Sequence, residues 1–231
     1  MHAVTASADA SGAIRRVAAK ALAAWICLPL CFVATGGSLG WWQAWAYCAV
    51  LLVPMAVFLA YMARRDPEFL ARRLQVRERE RSQRLVQAWG SLAILGALVL
   101  PGIDHRFGWS RVPPAVVVAA LGVSLLSYLA VLRVFLENRW AGRTVETWQE
   151  QRVISTGPYA IVRHPMYTGM ILSDLFLPLA LGSWWAAVPA GLMIALVIWR
   201  TAREDQTLRA ELPGYADYAQ RTRFRLLPGL W

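Results

Sequence analysis

No residue from position 21 to position 63 is Asp, Glu, Lys or Arg, a run of 43 uncharged positions. A soluble helix or strand needs a solvated face, so charges in a soluble domain recur at short intervals. Here they do not. Residues 85–103 (19 positions) and 112–132 (21 positions) are also uncharged, and between Arg163 and Arg200 the only charged residue is Asp174. A bilayer core about 30 Å thick is crossed by roughly 20 apolar residues at 1.5 Å each. The composition agrees. Hydrophobic residues are 58% and charged residues 16%, against roughly 45–50% and 25% in soluble domains. The chain reads as an all-α, polytopic integral membrane protein.

The first run is too long for one span and breaks at Gly36-Gly37-Ser38, just before Trp41, Trp42 and Trp45. Glycine and serine mark a turn, and tryptophan favours the membrane interface. Helices are expected at about 18–39, 42–63, 85–103, 113–134, 166–182 and 184–200, which makes about six spans. Arginine placement gives an independent check. With both termini cytoplasmic, 21 of the 24 Lys and Arg residues fall on the cytoplasmic side, leaving Arg106 and Arg111 outside and Arg133 at a helix end. That bias is the positive-inside pattern. It accounts for the net charge of +10 without a nucleic-acid partner. In a bacterial cell the location would be the cytoplasmic membrane. The Arg-rich stretch 64–84 also carries Asp66, Glu68, Glu78 and Glu80, and is expected to lie on the lipid surface as an interfacial helix. The first span resembles a signal peptide but is too long for one and leads directly into a second span, so cleavage is not expected. Cys27, Cys31 and Cys48 form no CxxC pair and have no nearby histidine, so they read as packing residues, and no metal site is expected.

The chemistry is expected after residue 137. A four-span region, 1–137, precedes a polar loop, a two-helix hairpin and a tail, 138–231. Gly157-Pro158 signals a turn, and Pro165 biases His164 out of the helical region while suiting the first turn of the next helix. Arg163 and His164 then stand at the cytoplasmic mouth of that helix, where backbone N–H groups favour an anion. Arg200 and Glu204 are four residues apart and share a helix face. Taken alone, each of these residues could also be a snorkelling arginine, a helix-start residue or a neutralising carboxylate.

The order Gln151-x-Val153-Ile154-Ser155-Thr156-Gly157-Pro158-Tyr159, then Val162-Arg163-His164-Pro165-x-Tyr167-x-Gly169, then Arg200-x-x-x-Glu204-Asp205 and Tyr215-x-x-Tyr218 resembles the isoprenylcysteine carboxyl methyltransferase family, itself related to the membrane phospholipid methyltransferases. The resemblance covers residues 138–231. It implies an enzyme that transfers a methyl group from S-adenosylmethionine (SAM) to a lipid-like acceptor drawn from the membrane. Carried over, Gln151, Arg152, Val153 and Ile154 would line the adenine. Tyr159, His164, Pro165, Met166 and Tyr167 would surround the methionine moiety, and Glu204 would hold its ammonium. Arg200 and Arg163 would face the acceptor, and Gln149 would add a polar contact. Two positions depart from the pattern: Gln151 replaces a common histidine, and Asp205 replaces the second glutamate of a Glu-Glu pair. Asp174, inside the fifth span, is unexpected, because a mid-membrane carboxylate costs roughly 2.5–3.5 kcal/mol on insertion scales and normally has a partner or a polar cavity. The competing functions are a sterol-type membrane reductase using NADPH and a non-catalytic membrane partner on the same scaffold.

Overall fold

The computed structural model describes residues 2–67, 69–70, 81–138, 140 and 152–231. Among them the elements are helical: α1 (His2–Gly36), α2 (Trp42–Arg65), α3 (Arg81–Phe107), α4 (Pro114–Glu137), a 3₁₀ turn (Gly157–Ala160), α5 (Pro165–Ala180), α6 (Ala187–Glu211) and α7 (Tyr215–Arg221). Among the described residues, four segments are long and apolar enough to cross a membrane: Arg15–Gly36, Trp42–Arg65, Ala88–Phe107 and Pro114–Glu137. The hairpin α5–α6 is different. With 16 residues, α5 rises only about 24 Å, and α6 continues eleven residues past Arg200 as a charged extension. The expected interfacial helix at 64–84 falls largely outside the described residues. Within them, Asp66 accepts a hydrogen bond from the Phe69 N–H at 3.0 Å.

The helices pack as a ring. α1 contacts α2 and α3, α2 contacts α4, α4 contacts α5, α5 contacts α6, and α6 closes on α3. Between them lies an apolar cluster that includes Phe32, Trp41, Tyr47, Leu52, Leu121, Leu177 and Leu181. The most extensive contact is between α4 and α5, where Gly169 lets the backbones approach closely. A Cβ at that position would sit 2.6 Å from Val131 Cγ2 and 3.1 Å from the Ser127 carbonyl oxygen. Gly169→Ala is therefore expected to force the two helices apart and lower stability by about 1–3 kcal/mol, read as a drop in melting temperature in detergent.

The loops 37–41, 108–113 and 181–186 gather at one end, and a buried carboxylate ties two of them together. Asp104 accepts hydrogen bonds from the Ser110 N–H at 2.7 Å, the Ser110 hydroxyl at 2.5 Å and the Ser183 hydroxyl. Ser110 Oγ in turn accepts from the Trp184 N–H at 3.0 Å. On the third loop, buried Trp41 stacks on His105 with ring centres 4.9 Å apart. Exposed Trp42, Trp45, Trp109, Trp184 and Trp185 surround this end, as interfacial tryptophans do. α1 stops at Gly36 because Gly37 takes a left-handed conformation (φ +66°) and its N–H caps the Val33 carbonyl at 2.9 Å, a common helix ending.

Candidate active site

The opposite end carries the polar loop, the start of α5, the extension of α6 and the tail. Pro165 begins α5, and His164 precedes it outside the helical region (φ −124°, ψ 61°), which the residue before a proline avoids. Arg163 and His164 both point toward α6. Their backbone N–H groups each donate at 2.9 Å to the tail, to the carbonyls of Phe224 and Arg225. Thr168 Oγ1 adds a third link, donating to the Leu226 carbonyl at 2.7 Å. The tail is thus stitched across the mouth of α5.

Asp205 is the hub of this end. Its side chain is fully buried and accepts from Arg163 through Nε at 2.8 Å and Nη2 at 3.3 Å. Arg209 Nε donates at 3.0 Å, Arg225 Nε at 3.1 Å and the Tyr215 hydroxyl at 3.0 Å, and His164 Nε2 lies 3.3 Å away. Burial alone would raise its carboxyl, but the hydrogen bonds from His164, Arg163 and Arg209 overcome that and hold it well below the usual carboxylate range. Burial, with the Asp205 charge adding to it, pushes the Tyr215 phenol far up, so Tyr215 stays protonated and continues to donate.

Beside the hub, one residue earlier on α6, a second relay opens to solvent. The Tyr167 hydroxyl donates to Glu204 Oε2 at 2.6 Å and accepts from Arg200 Nε at 2.9 Å. The Glu204 side chain is 22% exposed, and its other oxygen lies 4.0 Å from His164 Nδ1. The His164 ring stacks against Tyr167 with centres 6.0 Å apart. His164 therefore stands between the two carboxylates, one sealed in the hub and one reachable. Met166 packs beneath, with Tyr167, Val197 and Leu226.

The expected site residues separate into groups. His164, Tyr167, Arg200 and Glu204 meet. Pro165 is buried at the start of α5. Arg163 is drawn into the hub. It is 4% exposed, and its Nη1 also donates to the Thr222 carbonyl at 2.8 Å and the Arg223 carbonyl at 2.6 Å. Four of its five N–H donors are thereby used, so the geometry gives it the work of holding the tail where an acceptor-facing role was expected. Tyr159 also has structural partners. Its hydroxyl accepts from Asn138 Nδ2 at 2.8 Å, its carbonyl accepts from the Tyr218 hydroxyl at 2.7 Å, and, with Val153 and Leu208, it packs against the cluster of Leu212, Tyr215, Tyr218 and Ala219. Ile154 is half-buried and Arg152 exposed, while Gln149 and Gln151 lie outside the described residues. Arg209, Arg225 and Thr222 were not anticipated. Arg209 follows Asp205 by four residues, a helical ion-pair spacing visible in the sequence, whereas nothing local marks Arg225 or the Thr222 carbonyl.

The phospholipid methyltransferase (PEMT) family matches residues 115–212, from the start of α4 through α6. The cobalt-zinc-cadmium resistance protein CzcN of Cupriavidus metallidurans is 32% identical over 135 residues, 51% of this chain and 62% of that protein. The nickel-cobalt-cadmium resistance protein NccN of Alcaligenes xylosoxydans xylosoxydans is 29% identical over 133 residues, with the same coverage of 51% and 62%. The chain spans less than two thirds of either relative. Over the helices that build the site, the chain is similar to the phospholipid methyltransferases, a membrane methyltransferase family related to the isoprenylcysteine carboxyl methyltransferases.

Proposed function

We propose that the chain is a membrane-embedded methyltransferase that uses SAM and methylates a lipid-like acceptor, with six spans and both termini cytoplasmic. The observation that carries this reading is the Arg200–Tyr167–Glu204 relay, which lies where the start of α5 meets the extension of α6. The residues present suit the cofactor. Glu204 is a partly exposed carboxylate able to receive an ammonium, and the α5 N-terminus beside it favours a carboxylate. Held there, SAM would supply an electrophilic methyl group on a sulfonium for an acceptor lone pair.

The protein's tasks are then alignment and exclusion of water. Tyr167 fixes the spacing of a cation and an anion, so that Glu204 can hold the cofactor while Arg200 orients the acceptor. An acceptor carboxylate, as in isoprenylcysteine O-methylation, needs no base and gains from a planar guanidinium. The docked tail covers the cytoplasmic side.

The detergent-purified chain is expected to move tritiated methyl groups from SAM into the organic phase of a membrane lipid extract, with NADPH without effect. Because the two relatives are named for metal resistance, the extract is best taken from cells lacking the chain and grown with and without added cobalt, zinc and cadmium. No transfer to either extract, from protein that remains folded, would overturn the reading.

A further inference from the structure

The tail ends in a closed turn whose apolar side chains are bare. Leu230 is 77% exposed, and Leu227 and Trp231 are exposed beside it. The Trp231 carbonyl accepts from the Arg225 N–H at 2.7 Å and the Leu226 N–H at 3.1 Å, while the Leu227 carbonyl accepts from the Leu230 N–H at 3.2 Å. Leu226 fixes the level of this turn. It is buried against Tyr167 of α5 and Val197 of α6, with Ile171 packed alongside. The contact of Arg200 Nε with the Tyr167 hydroxyl marks the mouth of the hairpin. From there Val197 lies about 4.5 Å and Ile171 about 6 Å further in along their helices, away from the charged extension of α6.

The side of the hairpin is fixed as well. Thr168, whose hydroxyl holds the Leu226 carbonyl, precedes Leu175 by seven residues, close to two turns, so the two share a face of α5. Leu175 is 53% exposed, whereas Leu177, about 200° round the helix from it, is buried in the apolar cluster between the helices. The tail therefore docks on the outer face of α5, in line with a stripe that faces lipid wherever the hairpin spans the membrane. Exposed Trp199 of α6, two residues from Val197, has the Arg203 guanidinium over its ring at 5.5 Å, as Trp231 has Arg225. Such pairs suit an interface, with the ring at the apolar boundary and the cation among headgroups. We propose that residues 226–231 form an interfacial foot seated at the headgroup–acyl boundary of the cytoplasmic leaflet, with Leu227, Leu230 and Trp231 as its lipid contacts. This rests on the six-span reading and is independent of the methyl-transfer chemistry. Arg225 of the same turn pairs with Asp205, so the lipid contact and the hub together keep the tail across the mouth of α5.

Leu230→Cys and Leu175→Cys test this, each made together with Cys27→Ala, Cys31→Ala and Cys48→Ala and labelled with bimane. The full chain is placed in phosphatidylcholine nanodiscs that carry a lipid spin label either near the headgroup or near the chain end. Bimane at position 230 is expected to lose most of its fluorescence to the headgroup-proximal label and little to aqueous iodide, whereas bimane at 175 should lose most to the chain-end label. Strong iodide quenching at 230 without lipid quenching would put the turn in water and overturn the foot. Protection from every quencher would mean that protein, a second copy included, covers it, and overturns the foot equally. Absence of lipid quenching at 175 would instead remove the six-span reading, and the foot with it. If the cysteine-free chain does not fold, a photo-crosslinking benzoylphenylalanine at position 230 of the otherwise native chain decides: a lipid adduct by mass supports the foot, and a chain–chain adduct or none overturns it.

Discussion

Asp205→Asn should cost about 3–5 kcal/mol of stability, the usual result of removing one partner from a buried ion pair. The fully buried carboxylate holds Arg163, Arg209, Arg225 and Tyr215, and the amide leaves those cations facing one another with no countercharge. The effect should reach the tail first. Arg225 stacks over Trp231 at 4.8 Å, and Arg163 grips the carbonyls of Thr222 and Arg223, so losing the hub frees residues 222–231 to proteolysis. Arg163→Lys should act similarly but more weakly, since lysine keeps the charge and loses the planar fork. The pH dependence has a definite sign. A depressed folded pKa contributes stability that is complete above the unfolded value and is lost as pH falls toward the folded one. Melting temperature should therefore hold across neutral pH and begin to fall below about pH 4, and this acid-sensitive part should be absent from Asp205→Asn. A loss of only a few tenths of a kcal/mol would mean that the hub is incidental.

Much of this architecture was legible in the sequence because membrane spans are written in one dimension. An uncharged run, a glycine break and an interfacial tryptophan locate α1, α2, α3 and α4 with little tertiary information. The reach of α6 to Glu211 was not legible, since its charged extension is stabilised by contacts with the tail and loop and has no apolar period. The same limit divides the site. His164, Tyr167, Arg200 and Glu204 are found together because a short hairpin forces the start of one helix against the end of the next. Arg163 and His164 are adjacent in sequence, and no local rule shows that one guanidinium turns into a buried hub. That outcome depends on Arg225 and the Thr222 carbonyl, about sixty residues later. Asp104 shows the same thing at the other end, where its partner Ser183 lies 79 positions away.

Within the relay, the two charged residues should behave differently despite sharing one phenol. Glu204→Gln should weaken SAM binding about tenfold or more, because a neutral amide holds an ammonium less well than a carboxylate does. Arg200→Lys should leave SAM affinity within about threefold while turnover falls at least about tenfold, since the ammonium cannot reproduce a planar, forked contact with the acceptor. Tyr167→Phe removes the hydroxyl that joins them and should reduce both quantities. A pair that merely stabilises the helix end predicts something else, namely parallel losses of stability in all three variants with ligand affinities unchanged.

The most direct test of the central claim is a calorimetric titration of SAM into the detergent-purified wild type and into Glu204→Gln, with melting temperatures recorded alongside. Saturable binding to the wild type, weakened about tenfold in a variant that melts normally, is the predicted result. No binding to folded wild type, or equal affinity in the two proteins, would contradict a cofactor site at the junction of α5 and α6.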